Sequence, residues 1–236
     1  AKVYNYNSER GIPGAIVNNV WRRGERVWDT NSFFQGSFVK EVNDQFKTQV
    51  NAKYAFYRTH YVNNDDKLIE VDNLYKQREV YVSTANMYTI FPFWDVSMSY
   101  DFQWNEMKAD MYGFVFPTRF TNLLSIATAL RLGKVKLQGS GLATFVNDRV
   151  KEGPAPKARQ ILTPAVFLSY KPFDKHDFSL RAFYKKTFRM PTFNDLYYAD
   201  MGNSKLDPEY VTQYNLGTVY QKQWGNKLFR HFKIQA

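Results

Sequence analysis

With three histidines, 22 acidic residues and no cysteine, the 236-residue chain has a narrow choice of chemistry. The cysteine count excludes disulfides, thiolate nucleophiles and Cys-ligated metals. Hydrolysis would require a histidine held against a carboxylate. His176 falls in a short turn and His231 opens a strand on the same side, so only His60, followed by Asp65 and Asp66, is placed for that work. No nucleophile elbow, phosphate loop or His-x-x-x-His pattern accompanies it, and the expectation is a protein that is not an enzyme. Asn63-Asn64-Asp65-Asp66 offers the oxygen ligands that calcium takes. It lacks the spacing and glycine of an EF-hand, which leaves Asp65 and Asp66 as weak calcium candidates against a solvated loop. No cofactor is expected.

The elements that carry these residues read as strands. Trp94, Val96, Met98, Tyr100, Phe102 and Trp104 alternate with Asp95, Ser97, Ser99, Asp101, Gln103 and Asn105, so an extended chain presents one apolar and one polar face. A strand of this length exceeds the usual five or six residues and suits the roughly nine to eleven that cross a bilayer at a tilt. The pattern recurs. Phe46, Val50, Ala52, Tyr54 and Phe56 alternate with Lys47, Gln49, Asn51 and Lys53, and Lys134, Lys136, Gln138, Ser140 and Thr144 oppose Val135, Leu137, Ala143 and Phe145.

Ten strands are predicted, the first from about 31 to 40, with residues 1–30 read as loop. Short breaks near 41–45, 92–93, 133, 172–176 and 224–226 alternate with long ones near 62–75, 106–118, 148–160 and 190–208. Short turns on one side and long loops on the other are the layout of an outer-membrane barrel, with the long loops extracellular. A soluble sandwich has no reason to obey it.

Composition agrees with that class. Aromatics are 18% of the residues, as interfacial girdles would need. No apolar run of membrane-helix length occurs. The first residues carry no signal-peptide core, as expected of a mature chain or an excised piece. The net charge of +10 is scattered rather than striped, so no nucleic-acid partner is expected. A basic lumen, or a surface facing anionic lipids and ligands, accounts for it.

The stretch from Phe188 to Gly217 resembles the barrel signature of TonB-dependent outer-membrane receptors. The resemblance lies in Phe188-Arg189-x-Pro191, Asp195-Leu196-Tyr197, Gly202-Asn203-x-x-Leu206-x-Pro208-Glu209 and Asn215-Leu216-Gly217. Glu9-Arg10-Gly11-Ile12-Pro13-Gly14 and the strand layout resemble the vitamin B12 receptor-like branch of Bacteroides-type bacteria. The resemblance implies an all-β fold, a 22-stranded up-and-down transmembrane barrel filled by an N-terminal plug that couples to TonB. No plug, TonB box or closing C-terminal strand is visible in the sequence. The expectation is therefore a partial barrel domain over 1–236, from the interior of the barrel, which alone would not transport.

The function implied is import of a large scarce nutrient chelate, a corrinoid first and a ferric siderophore second. The implied partners are the TonB-ExbB-ExbD complex through the plug, the chelate, outer-membrane lipid and lipopolysaccharide, and a surface lipoprotein. Ligand contacts are expected from Tyr112, Arg119, Arg189, Asn194, Tyr197 and Tyr198, where aromatics and cations converge on the loops and upper wall. The alternative for the tyrosines is girdle or loop packing, and for the arginines pairing with lumen carboxylates. A passive porin would share the alternation but not the 188–217 signature. A soluble carbohydrate-binding module would explain the aromatics but not the ordered breaks.

Overall fold

The computed structural model describes residues 1–12, 16–17, 20–21, 25–64, 70–153, 155–197, 203, 205–223 and 231–236. The candidates Asp65, Asp66 and Tyr198 lie outside the described residues, as do Gly202 and the reversal near 224–226. The strands are β1 (Lys2–Gly11), β2 (Ile16–Val17), β3 (Val20–Trp21), β4 (Glu25–Glu41), β5 (Phe46–Asn63), β6 (Val71–Phe91) and β7 (Trp94–Ala109). They continue as β8 (Thr118–Leu132), β9 (Val135–Arg149), β10 (Arg159–Tyr170), β11 (Asp177–Arg189), β12 (Glu209–Gln223) and β13 (His231–Gln235), with a short helix α1 (Phe193–Tyr197) between β11 and β12. Eleven strands form one sheet in the order β1-β4-β5-β6-β7-β8-β9-β10-β11-β12-β13, and β2 and β3 form a separate small hairpin. All pairings are antiparallel. The sheet is open, with β1 and β13 at its edges.

The ten predicted strands are present, and the expectation of loop over residues 1–30 is corrected by an eleventh. β1 pairs with β4 from Lys2↔Gln35 to Gly11↔Arg26. Its faces are inverted in polarity: Val3, Asn5, Asn7 and Glu9 share one side, and Lys2, Tyr4, Tyr6 and Ser8 the other. The alternation Tyr4-Asn5-Tyr6-Asn7 marks a strand, but pairing with β4 sets its tyrosines on the polar side of the sheet. The backbone ladder holds it, with Tyr4 stacked on Phe33 at 5.0 Å. β4, β6, β7 and β9 also run several residues further toward the long breaks than alternation predicts, because ladder bonds continue where side-chain polarity no longer alternates.

From β4 to β12 the connections alternate between short ones of two to six residues and longer ones of seven or more. In the two-residue turn between β8 and β9, Gly133 has φ of 56°, a left-handed value that a Cβ disfavours. Register keeps like with like. Val50, Thr84, Tyr100, Leu124, Ala143 and Leu162 form one row on the apolar face, and one position along, Asn51, Ser83, Asp101, Leu123, Thr144 and Ile161 form a row on the other. Large apolar groups stand open to the surroundings: Met98 is 51% exposed, Ile126 56% and Leu162 65%. A continuous exposed face of this extent is what a lipid-facing wall presents. No helix among the described residues is long and apolar enough to cross a membrane.

A compact core sits at the long-loop end of the polar face. Tyr75, Met107 and Ala109 from the sheet pack with Phe114 from the β7–β8 loop and with Phe193, Leu196 and Tyr197 of α1.

Candidate functional site: a buried arginine beneath packed loops

α1 exists because its first turn is capped from both directions. The Asp195 N–H donates to Thr192 Oγ1 at 3.2 Å, and the Thr192 N–H donates to Asp195 Oδ2 at 2.8 Å. This is a reciprocal capping arrangement. Thr192's backbone N–H and hydroxyl, with the Arg189 charge beside them, hold the Asp195 carboxyl below its ordinary pKa. The helix turns Phe193, Leu196 and Tyr197 inward and leaves Asn194 exposed.

Under the helix lies Arg119. It occupies the polar-face row Glu79, Asn105, Arg119, Asp148, one residue from each of β6 to β9. Arg119 Nε and Nη2 each donate to Asp148 at 2.7 Å, a bidentate pair, and Nη1 donates to the Pro191 carbonyl at 2.7 Å. Its guanidinium lies 5.1 Å from the Phe193 ring centroid. Both partners are buried, at 9% and 7% exposure. A buried pair does not guarantee stability, but planar two-point bonding with a third acceptor is the geometry in which it persists. One side chain thus ties two strands of the wall to the 190–208 loop.

Two cavities flank this arginine. One, of about 410 Å³, is bordered by Asp148, Lys157, Arg159, Pro191, Lys205 and Asp207. Within it Arg159 pairs with Asp207. The other, of about 400 Å³, is bordered by Gln77, Gln103, Asn105, Thr144 and Thr192. Asn105 Oδ1 and Thr144 Oγ1 in that wall are buried and have no hydrogen-bond partner among the described residues, and the same holds for the Tyr197 hydroxyl. Unsatisfied buried polar atoms are uncommon in folded proteins.

Burial, followed by the nearby Asp148 carboxylate, pushes the Tyr197 phenol up to about 12. The raised value favours the protonated form in the folded state, so stability from this group is full below pH 10 and is lost as pH rises toward 12. In a difference titration of the native protein against Tyr197→Phe, followed by tyrosinate absorbance, no signal is expected until pH nears 12. A step near pH 10 would contradict the burial.

Of the predicted ligand residues, the structure brings Arg119 and Tyr197 together. Arg189 stands at the rim, exposed, within 3.3 Å of Asp195 and 3.9 Å of Glu209. Asn194 is nearby on the open side of α1, whereas Tyr112 is fully exposed at the tip of a different loop. His60 contacts Asp72 at 2.6 Å and stacks near Trp28 on the apolar face, away from this site. No cluster of three or more metal-ligating side chains occurs among the described residues. Asp148, Asn105 and Thr144 were not singled out from the sequence. Extending the β9 alternation two steps past Thr144 would have reached Asp148.

The comparisons with known proteins bear on the fold. No curated protein matches the sequence. Among solved structures, the copper transporter OprC is similar with a TM-score of 0.69 at 14% identity, over 85% of this chain and 39% of that one. The FrpB iron transporter from Neisseria meningitidis gives 0.68 at 10% identity, over 92% and 40%. The ferric citrate transporter FecA in unliganded form gives 0.64 at 12% identity, over 93% and 38%. This chain therefore spans well under half the length of these proteins, and at such identities the likeness shows the fold. The family described as "TonB dependent receptor-like, beta-barrel" matches residues 2–232. With its eleven-stranded antiparallel sheet and alternating short and long connections, the chain belongs to the TonB-dependent receptor β-barrel family.

Proposed function

We propose that this chain forms part of the wall of an outer-membrane importer that takes up a large, scarce nutrient chelate. Barrels of this family sit in the outer membrane and work with TonB. Coupling to ExbB and ExbD through a plug, and delivery by a surface lipoprotein, belong to this proposal. The single observation that carries it is the buried Arg119, which fastens a packed loop core over the polar face between two polar cavities. An open pore for small solutes has no need of such a core, and this favours a specific occupant over passive diffusion.

A corrinoid is the first ligand choice. Its peripheral amides match the amide and hydroxyl wall of Gln77, Gln103, Asn105 and Thr144, where Asn105 Oδ1 and Thr144 Oγ1 have no partner among the described residues. A ferric siderophore is the second, favoured by Lys157 and Lys205 at the other cavity. The test is equilibrium binding of cyanocobalamin and of a ferric siderophore panel to the full-length receptor in detergent. Tight binding of the corrinoid, weakened by Asn105→Leu, supports the first. Binding of neither ligand, together with free passage of small sugars through receptor-containing liposomes, would replace the importer with a porin.

A further inference from the structure

The two cavities beside Arg119 share a wall. Arg119, Val146 and Met190 border both, while Pro191 borders the first and Thr192 the second. The strap Met190-Pro191-Thr192 therefore passes from one cavity to the other, held by the Arg119 bond to the Pro191 carbonyl at 2.7 Å. At about 410 and 400 Å³, each lies near the lower end of the roughly 300–1,000 Å³ of small-molecule sites. A large chelate outgrows either one alone.

The two sides differ in what they leave open. In the first cavity both carboxylates are taken, Asp148 by Arg119 and Asp207 by Arg159. Lys157 and Lys205 are exposed there and form no ion pair with any described residue, so their two charges stand uncompensated. In the second cavity the charged members are both paired, Glu79 with Lys53 at 2.8 Å and Arg119 with Asp148 at 2.7 Å. What stands open there is neutral: Asn105 Oδ1 and Thr144 Oγ1 are buried and without a partner among the described residues, and Thr144 is only 2% exposed. An amide oxygen only accepts and a hydroxyl also accepts, so N–H donors of an uncharged group would satisfy both.

We propose that the two cavities are halves of one site, and that its ligand has two parts: an uncharged, amide-bearing body and a single oxyanion arm. The body donates to Asn105 and Thr144, the arm meets Lys157 and Lys205, and the half-buried Met190 lies under the join, where a flexible thioether adapts to an irregular surface. The assignment rests on the importer reading and adds to it a division of recognition between the two walls. A chelate that is anionic all round would set its oxygens against the acceptors of the second cavity. A wholly neutral one would leave both lysines unused.

The test titrates the full-length receptor in detergent with cyanocobalamin, whose nucleotide arm carries a phosphodiester, and with dicyanocobinamide, which keeps the amide-bearing ring and lacks that arm. Lys157→Gln combined with Lys205→Gln should weaken cyanocobalamin by on the order of tenfold and leave dicyanocobinamide unchanged. Lys157→Arg with Lys205→Arg should restore the loss. Asn105→Leu and Thr144→Val should each weaken the two corrinoids by the same factor. Raising the salt concentration should weaken cyanocobalamin more than dicyanocobinamide. Heat-modifiable migration verifies that each variant is a folded barrel, and Lys40→Gln, at the short-turn end, should bind as the native receptor does. Equal weakening of both corrinoids by the lysine changes, or no weakening of either, would overturn the two-part site. So would an Asn105→Leu effect confined to cyanocobalamin. Binding of neither corrinoid, with tight binding of ferric citrate, would also overturn it but would leave the importer standing, whereas binding of none of the three would remove the support for both.

Discussion

Asp148→Ala in the full-length receptor is expected to lose about 3–5 kcal/mol of stability, because it leaves the Arg119 guanidinium buried without its counter-charge. Both partners are nearly inaccessible to water and share two hydrogen bonds of 2.7 Å. The loss should be local as well as global. Arg119 also holds the Pro191 carbonyl, so its rearrangement releases the segment that leads into α1. Urea unfolding in lipid vesicles reads the first effect, and protease nicking within 190–208 the second.

The paired change Arg119→Met with Asp148→Leu separates charge from packing. Replacing a buried ion pair by apolar groups of similar size is often neutral, so the double variant should recover most of the stability that Asp148→Ala loses. It would not restore the bond to Pro191, and the 190–208 loop should stay open to protease. Full protection of the loop in the double variant would show that the hydrophobic core of Phe193, Leu196 and Tyr197 suffices to hold it. A cost below about 1 kcal/mol for Asp148→Ala would show that the pair is solvated in the receptor.

Met98→Arg should cost about 2–4 kcal/mol in a bilayer, whereas Ser99→Arg should cost little. The two residues are adjacent in sequence and opposite in facing. Met98 lies between Asn86 and Ile126 on the apolar face, near the middle of the Trp94–Trp104 band, and Ser99 lies between Ala85 and Ser125 on the polar one. An arginine at the bilayer midplane loses its hydration, while one at a polar wall does not. Equilibrium unfolding in thin-bilayer vesicles measures both. Similar costs for the two would mean that the apolar face is covered by protein rather than lipid.

Strand existence was legible wherever side-chain polarity alternates, because successive residues of a strand must point to opposite faces. That covers β4 to β12 in their central parts. At β1 the alternation Tyr4-Asn5-Tyr6-Asn7 is present but misassigns the faces, since pairing with β4 puts the tyrosines on the polar side and the asparagines on the apolar one. Legibility fails at strand ends, where the ladder outlasts the pattern. The short and long order of the connections was legible for the same reason as the strands: it is what remains between them.

The site was legible only in part. Arg119 and Tyr197 were named as a cation and an aromatic near the long-loop end, but nothing local joins them, as they are 78 positions apart by their numbering. Arg189 and Asn194 reach the rim but not the buried core. Tyr112 belongs to a loop whose Phe114 and Met111 pack inward and whose tip is left outside.

By itself, then, the sequence determined the fold class, the two faces of the wall and the end at which the long loops gather, since each is set by local alternation and turn chemistry. The tertiary structure decided which residues meet: that Arg119 lies in register with Asp148, that its third nitrogen reaches Pro191, and that two polar cavities flank it. Those depend on strand register and on loops folding back over the sheet, and both are set by pairing between segments far apart in the chain.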